Sequence, residues 1–190
     1  MPEADGSHRM RADARRNRAL VLRVAAEAFA ADGLSVPVHE IARRAGVGTG
    51  TVSRHFPTKD ALIEAIVADR LEWLADQAKS LATAHDPGEA FFGYFDLLVT
   101  EGSANRGLIE ALTGRELELE ATFARVMGDL VDGLRTLVTA AQAAGAVRAD
   151  VDVADVKALM AGCLTREGHE VDPDARRRML AIVRAGLRPV

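Results

Sequence analysis

Apolar residues recur along this chain at intervals of three and four over nearly its whole length, and almost nowhere at every second position. Steps of three and four keep side chains on one face of an α-helix, whereas a half-buried strand needs alternation, so the pattern predicts an all-α protein. Leu22, Ala25, Ala26 and Phe29 form the first such face, on a helix that grows out of a basic arm at 11–18 and stops near Asp32 and Gly33. Ile41, Ala42 and Ala45 form the second, and Val52 with Phe56 the third. Both of these are short, and Gly46 between them is free to adopt the positive φ of a sharp turn. A fourth face is much longer: Leu62, Ile63, Ile66, Val67, Leu71, Leu74, Ala78 and Leu81 keep helical register from 58 to about 84.

At 85–89 the sequence HDPGE breaks the pattern, with Asp86 placed to cap a helix and Pro87 to begin it. The next helix carries Phe91, Phe92, Tyr94, Phe95, Leu98 and Val99. After a looser stretch from Gly102 to Gly107, Leu108, Ile109 and Leu112 predict a short helix closing at Gly114. Phe123, Met127, Leu130, Leu134, Leu137 and Ala141 then predict a long one up to Gly145. Val153, Val156, Met160 and Cys163 stripe a helix over 152–166; Met179, Ile182 and Val183 stripe a last one over 173–186, opened by Asp172 and Pro173. The order divides the chain into a polar leader expected to be disordered (1–10), a helix-turn-helix domain (11–57), a connecting helix (58–86) and a helical body (87–190).

The two short helices carry the most specific spacing. A small Ala42 where they would cross, Gly46 four residues later and β-branched Val52 six beyond that are the steric pattern of a DNA-binding helix-turn-helix. A plain αα-hairpin would use the same glycine merely to end a helix. With Val52 and Phe56 turned inward, Thr49, Gly50, Thr51, Ser53, Arg54 and His55 are left on the outer and flanking surfaces, where their donors can meet phosphates or base edges. Pro57 stops the second helix and Thr58 can cap the next, which puts Lys59 beside the N–H groups of a positive helix end, a phosphate clamp. Arg43 on the first short helix and Arg15 in the basic arm complete the candidate DNA-facing set, since basic arms reach the backbone or the minor groove.

Charge strengthens this picture. From Arg9 to Lys59 there are 10 Lys and Arg against 4 acids, although the whole chain has a formal net charge of −4. A basic head on an acidic body suits a protein that presents one end to phosphates. At 190 residues, 48% hydrophobic but only 4% aromatic, the chain can bury a core built largely of Ala, Leu and Val. No apolar run reaches the roughly 18 residues of a membrane span. The polar N-terminus lacks the apolar core of a signal peptide, and a single cysteine, Cys163, rules out an intramolecular disulfide framework. A cytoplasmic protein is expected.

Enzyme chemistry lacks its parts. His8, His39, His55, His85 and His169 are scattered, no HExxH or paired cysteines offer metal spacing, and there is no GxGxxG, GxSxG or P-loop sequence. The run AGVGTG is Gly-rich but lacks the closing Lys-Ser/Thr, so it reads as the turn of the helix-turn-helix. No metal and no cofactor are expected. His169, with Glu167 and Glu170 in a polar loop, reads as solvated.

The run from Val21 to Asp60 resembles the N-terminal domain of the TetR family of transcriptional regulators. The resemblance lies in VLRVAAEAF at 21–29, Gly33, IARRAGV at 41–47 and GTVSRHFPTKD at 50–60, about a third of the chain. It departs from the family at Ser53, where an aromatic is usual, at Gly48-Thr49 in place of Ser-Lys, and at Val36 in place of a capping Thr, followed by Pro37 at a plausible first helical position. The resemblance implies a three-helix DNA-binding domain followed by a helical ligand-binding and dimerisation domain. It further implies duplex operator DNA as partner, a homodimer built on the last two helices, and a connecting helix that shifts when a ligand enters the body.

Two candidate surfaces follow in the body. Trp73, Phe91, Phe92, Phe95, Leu98, Phe123, Met127 and Leu130 concentrate the aromatic and large apolar side chains, and either line an apolar effector pocket between helices or are ordinary core. Val156, Met160, Met179 and Ile182 are the candidate dimer residues, although such stripes serve an intrachain core equally well. The sequence therefore predicts a sequence-specific DNA-binding regulator, a repressor released by a small apolar ligand, and not an enzyme. The competing readings are a DNA-binding regulator without a small-molecule effector, and an all-α interaction protein whose reading motif has degenerated.

Overall fold

The computed structural model describes residues 4–84, 86–113, 121–167 and 172–189; within its helices the side chains of 4–12, 14, 15, 84, 111–113, 121–123 and 167 lie outside the description. Every regular element among the described residues is an α-helix, in the order α1 (Ala4–Asp32), α2 (Val38–Arg44), α3 (Thr49–His55), α4 (Lys59–Ala84), α5 (Pro87–Ala104), α6 (Arg106–Thr113), α7 (Ala121–Ala143), α8 (Val153–Glu167) and α9 (Pro173–Leu187). The all-α expectation holds, and the chain divides into two compact units. One comprises Met1–Asp69 with Gly107–Leu117, the other Arg70–Arg106 with Glu118–Val190.

In the first unit α1 packs on α2 and α3, and α2 on α3. Val21, Leu22, Ala25 and Phe29 of α1, Ile41 and Ala42 of α2, and Val52 and Phe56 are all buried. The turn after α2 depends on Gly46, at φ 65°. There the Gly46 N–H donates to the Arg43 carbonyl at 3.2 Å and the Val47 N–H to that of Ala42 at 3.0 Å, a Schellman closure that L side chains resist. Two details differ from expectation. Helix α1 begins at Ala4, so 4–10 are helical where a disordered leader was expected; extending a helix already nucleated downstream is cheap, and no proline interrupts 4–32. Pro37 is the N-cap of α2, at φ −78° and ψ 150°, and the first helical residue is Val38.

The boundary between the units falls inside α4, twelve residues beyond the expected end of the reading domain at 57. Leu62, Ile63, Ile66 and Val67 on the first half of α4 are buried and belong to the first unit. In the second unit α5 packs against α7 and α8, and α8 against α7 and α9. Phe91, Tyr94, Phe95 and Val99 of α5 are fully buried, with Leu134, Leu137, Val138 and Ala141 of α7 facing the same cluster. Helix α7 approaches α4 closely at Gly133, where an added Cβ would stand 2.8 Å from the Ala78 Cβ.

Local hydrogen bonds begin these helices as their sequences predict. The Asp86 carboxylate accepts from the Gly88 and Glu89 N–H groups at 2.9 and 3.2 Å. Asp172 accepts from those of Asp174 and Ala175, both at 3.0 Å. At α8 the cap is reciprocal: Asp155 N–H donates to the Asp152 side chain at 2.9 Å, and Asp152 N–H to that of Asp155 at 3.0 Å.

Candidate nucleic-acid interface

Helix α3 has one apolar side and one polar side. Val52 is 0% and Phe56 4% exposed, which leaves Thr49, Gly50, Ser53, Arg54 and His55 exposed and Thr51 half-buried. Its N-cap is Gly48, at φ −68° and ψ 142° with no side-chain cap, and no acid occupies its first turn. The helix is held in place from behind by Val52 and at its C-terminal end by Phe56, over whose ring Arg18 of α1 places its guanidinium 5.6 Å from the centroid. Seven residues give two turns, enough to present one row of donors and no more.

At the start of α4 the Thr58 hydroxyl accepts from the Ala61 N–H at 3.0 Å, the expected cap. Lys59 follows at the first helical position, half-buried, with its ammonium 5.5 Å from the Phe29 ring centroid. The ammonium itself thus lies over an aromatic ring of α1 near the N-terminal end of α4. Neither Arg54 nor Lys59 has a carboxylate partner within ion-pair distance among the described residues.

The arginines of α2 are placed differently. Arg43 is held at both ends of its fork by Glu40, Nε to Oε2 and Nη2 to Oε1, each at 2.7 Å. Arg44 donates from Nε to the same carboxylate at 2.8 Å and from Nη1 to Asp32, the last residue of α1, at 2.7 Å. Hydrogen bonds from Arg43 and then Arg44 pull the Glu40 carboxyl down to about 2, and Glu40 in turn raises both guanidinium groups further. Arg43, taken from the sequence as DNA-facing, is exposed but already neutralised, whereas Arg44 fastens α2 to α1. Glu40 stands three and four residues before these arginines, so its clasp was legible as helix pairing although the sequence reading did not weigh it. The side chain of Arg15 lies outside the described residues.

In the second unit, Phe91, Phe92, Phe95 and Leu98 are buried, and Trp73 and Leu130 pack half-buried against the same cluster. Met127 is instead 37% exposed: the rest of the predicted stripe, Leu134, Leu137 and Ala141, is buried, and at this end of α7 Val126 is the buried residue. The side chain of Phe123, and His85, His169 and Glu170, fall outside the described residues. Arg70 donates to Glu101 at 2.6 Å from Nε and pairs with it at 2.5 Å through Nη2, and lays its guanidinium 3.8 Å from the Trp73 centroid. The Tyr94 hydroxyl is buried with no hydrogen-bond partner among the described residues.

The four candidate dimer residues do not share one role. Val156 is 1% exposed and belongs to the core of its own chain, which removes it from any surface a partner meets. Met160 and Met179 are half-buried against that core, and Ile182 is 65% exposed. Leu159 of α8, at 37%, is a further exposed apolar side chain that the sequence reading passed over. Among the described residues no cluster of His, Cys, Asp and Glu could hold a metal ion, and no helix is long and apolar enough to cross a membrane.

Comparison with known proteins matches both halves of the chain. Residues 21–66 match the family described as bacterial regulatory proteins, tetR family, and residues 86–189 match the C-terminal domain of SbtR-like transcriptional regulators. The crystal structure of a TetR transcription regulatory protein from Mycobacterium vanbaalenii is 46% identical, covering 95% of this chain and 99% of that one, with a TM-score of 0.78. That of a TetR transcriptional regulator from Streptomyces coelicolor is 32% identical over 91% of this chain and 99% of its own, with a TM-score of 0.75. The HTH-type transcriptional repressor KstR2 of Mycolicibacterium smegmatis is 36% identical over 77 residues, a match spanning 40% of this chain and 38% of that repressor.

Proposed function

The chain belongs to the TetR family of transcriptional regulators, and from that premise we propose that it is a homodimeric repressor that reads a palindromic operator through α3 and is released by a small, predominantly apolar ligand. The observation that carries the DNA-reading part is the exposed donor row of α3 over buried Val52 and Phe56, with Arg54 and Lys59 beside it lacking a carboxylate partner among the described residues. Phosphate contacts from Arg54 and Lys59 would fix register, while Thr51, Ser53 and His55 face the base edges. A single seven-residue helix covers too little DNA for operator affinity, which is why the reading requires two heads. Exposed Ile182 and Leu159 support α9 and α8 as the surface that joins them. Repression is supported by the repressor among its relatives.

Release by a ligand requires that the ligand bind the DNA-competent and DNA-incompetent arrangements unequally, since equal binding shifts nothing. The aromatic wall of α5, with Trp73 and Leu130, is the proposed site, and α4, which continues from one unit into the other, is the proposed route. One observation favours a second reading, a regulator without a small effector: Phe91, Phe92, Phe95 and Leu98 are between 0% and 6% exposed, as ordinary core residues are. A salt-titrated band shift with the duplex upstream of the protein's own coding sequence tests the DNA part. Binding should be specific and fall steeply with salt; the absence of any specific complex at low salt would refute it.

A further inference from the structure

We propose that Tyr94 is the polar anchor of the effector site, its hydroxyl donating to the single carbonyl or hydroxyl oxygen of a neutral, largely hydrocarbon ligand. The inference rests on the effector-pocket reading above and adds to it the chemistry of the ligand. Tyr94 is 0% exposed and lies within the described buried cluster of the second unit. Buried hydroxyls are almost always hydrogen-bonded, yet this one has no partner among the described residues. Phenylalanine would fill the same space without that penalty, as it does at three neighbouring positions of α5, 91, 92 and 95.

The position of Tyr94 on its helix ties it to the proposed wall. Leu98 and Glu101 lie four and seven residues further on and so share its face of α5. Glu101 takes both arms of Arg70 from α4, and Arg70 covers Trp73. Tyr94 therefore shares its face of α5 with Leu98 of the proposed pocket and with the carboxylate that Arg70 reaches from α4. That side offers a ligand carboxylate no spare cation among the described residues, because Arg70 is matched by Glu101, which also accepts from the Asn105 amide at 3.2 Å. A charged ligand would be stranded there, whereas a neutral oxygen needs only one donor. Burial raises the phenol above its ordinary range, so it stays protonated and able to donate across physiological pH.

A matched pair of probes tests this: acetophenone and ethylbenzene, similar in shape and differing in the carbonyl, titrated by calorimetry into the full-length protein and its Tyr94→Phe variant. Wild-type protein should bind acetophenone about tenfold more tightly than ethylbenzene, as one net hydrogen bond gives, and the variant should bind them about equally. The ligand-free Tm of Tyr94→Phe should be unchanged or raised, because an unpartnered hydroxyl has been removed. Equal affinities in the wild type, a ketone preference that survives in Tyr94→Phe, or a lowered Tm for the variant would overturn the anchor while leaving the pocket in place. If neither probe binds either protein, the pocket reading fails and the anchor fails with it.

Discussion

The reading head and the body bury their side chains to opposite ends. In the head, a small interior of Val21, Ile41, Ala42, Val52 and Phe56 serves to hold a polar surface still, and the side chains with chemistry to perform are outside it. In the body the largest side chains are inside, Tyr94, Phe91 and Phe95 among them, while the exposed features are apolar, Ile182 and Leu159. A head of this kind acts through its surface. The body, by contrast, is proposed to act through its interior or through a second copy.

The largest effect that would sharpen this contrast is loss of the second copy. Ile182→Glu places a charge on the most exposed large apolar side chain of α9 and should give a monomer whose operator affinity falls on the order of 10²–10⁴-fold, the avidity lost when two linked sites become one. Sedimentation and band shift together check it, and a dimer that persists would move the interface elsewhere. Next comes the interior. Gly133→Val forces a side chain against Ala78 and should cost the body about 1–3 kcal/mol, visible as a lower melting transition, while the head, which does not contain this contact, keeps its DNA affinity at low temperature.

Smaller effects are expected at the surface of the head. Lys59→Ala should weaken specific and non-specific binding alike and reduce the salt slope by about one, whereas Thr51→Ala should alter which sequences are preferred. The smallest effect is electrostatic. Because Arg43 and Arg44 lower the Glu40 carboxyl from 4.5 to about 2, its contribution to stability is present above about pH 4.5 and is lost as pH falls toward 2. Glu40→Gln should flatten that acid limb of a pH–stability profile, by a modest amount since the group is exposed to solvent. An unchanged limb would mean that the clasp is not maintained in solution.

What could be read from the chain alone follows the same division. Ala42, Gly46 and Val52 lie within eleven residues of one another, and the requirements they meet, a close crossing, a positive φ and an inward β-branched side chain, are local; sequence spacing expresses them directly. The caps at Asp86, Asp152 and Asp172 are local in the same sense, since donor and acceptor are two or three residues apart. The faces of the body helices are another matter. Val156 and Ile182 look alike as members of a stripe, and only the packing of α8 against α7 and α9 turns the first inward and leaves the second out. Met127 fits the helical rhythm of Phe123, Leu130 and Leu134 but loses its place to Val126, because the neighbours of α7 choose the face. Whether a buried hydroxyl such as that of Tyr94 has a partner depends on residues far away in sequence, so no periodicity reveals it.

The claim on which the rest depends is that the exposed row of α3 reads duplex DNA as one of a pair. Selection of bound fragments from a random duplex library, carried out with wild-type protein and with the Thr51→Ala and His55→Ala variants, addresses it most directly. The account predicts an inverted repeat with half-site centres about 34 Å or a multiple apart. It also predicts that at least one variant changes base preference at the same position in both halves. A library that yields no enriched sequence, or an inverted repeat untouched by either substitution, would contradict it.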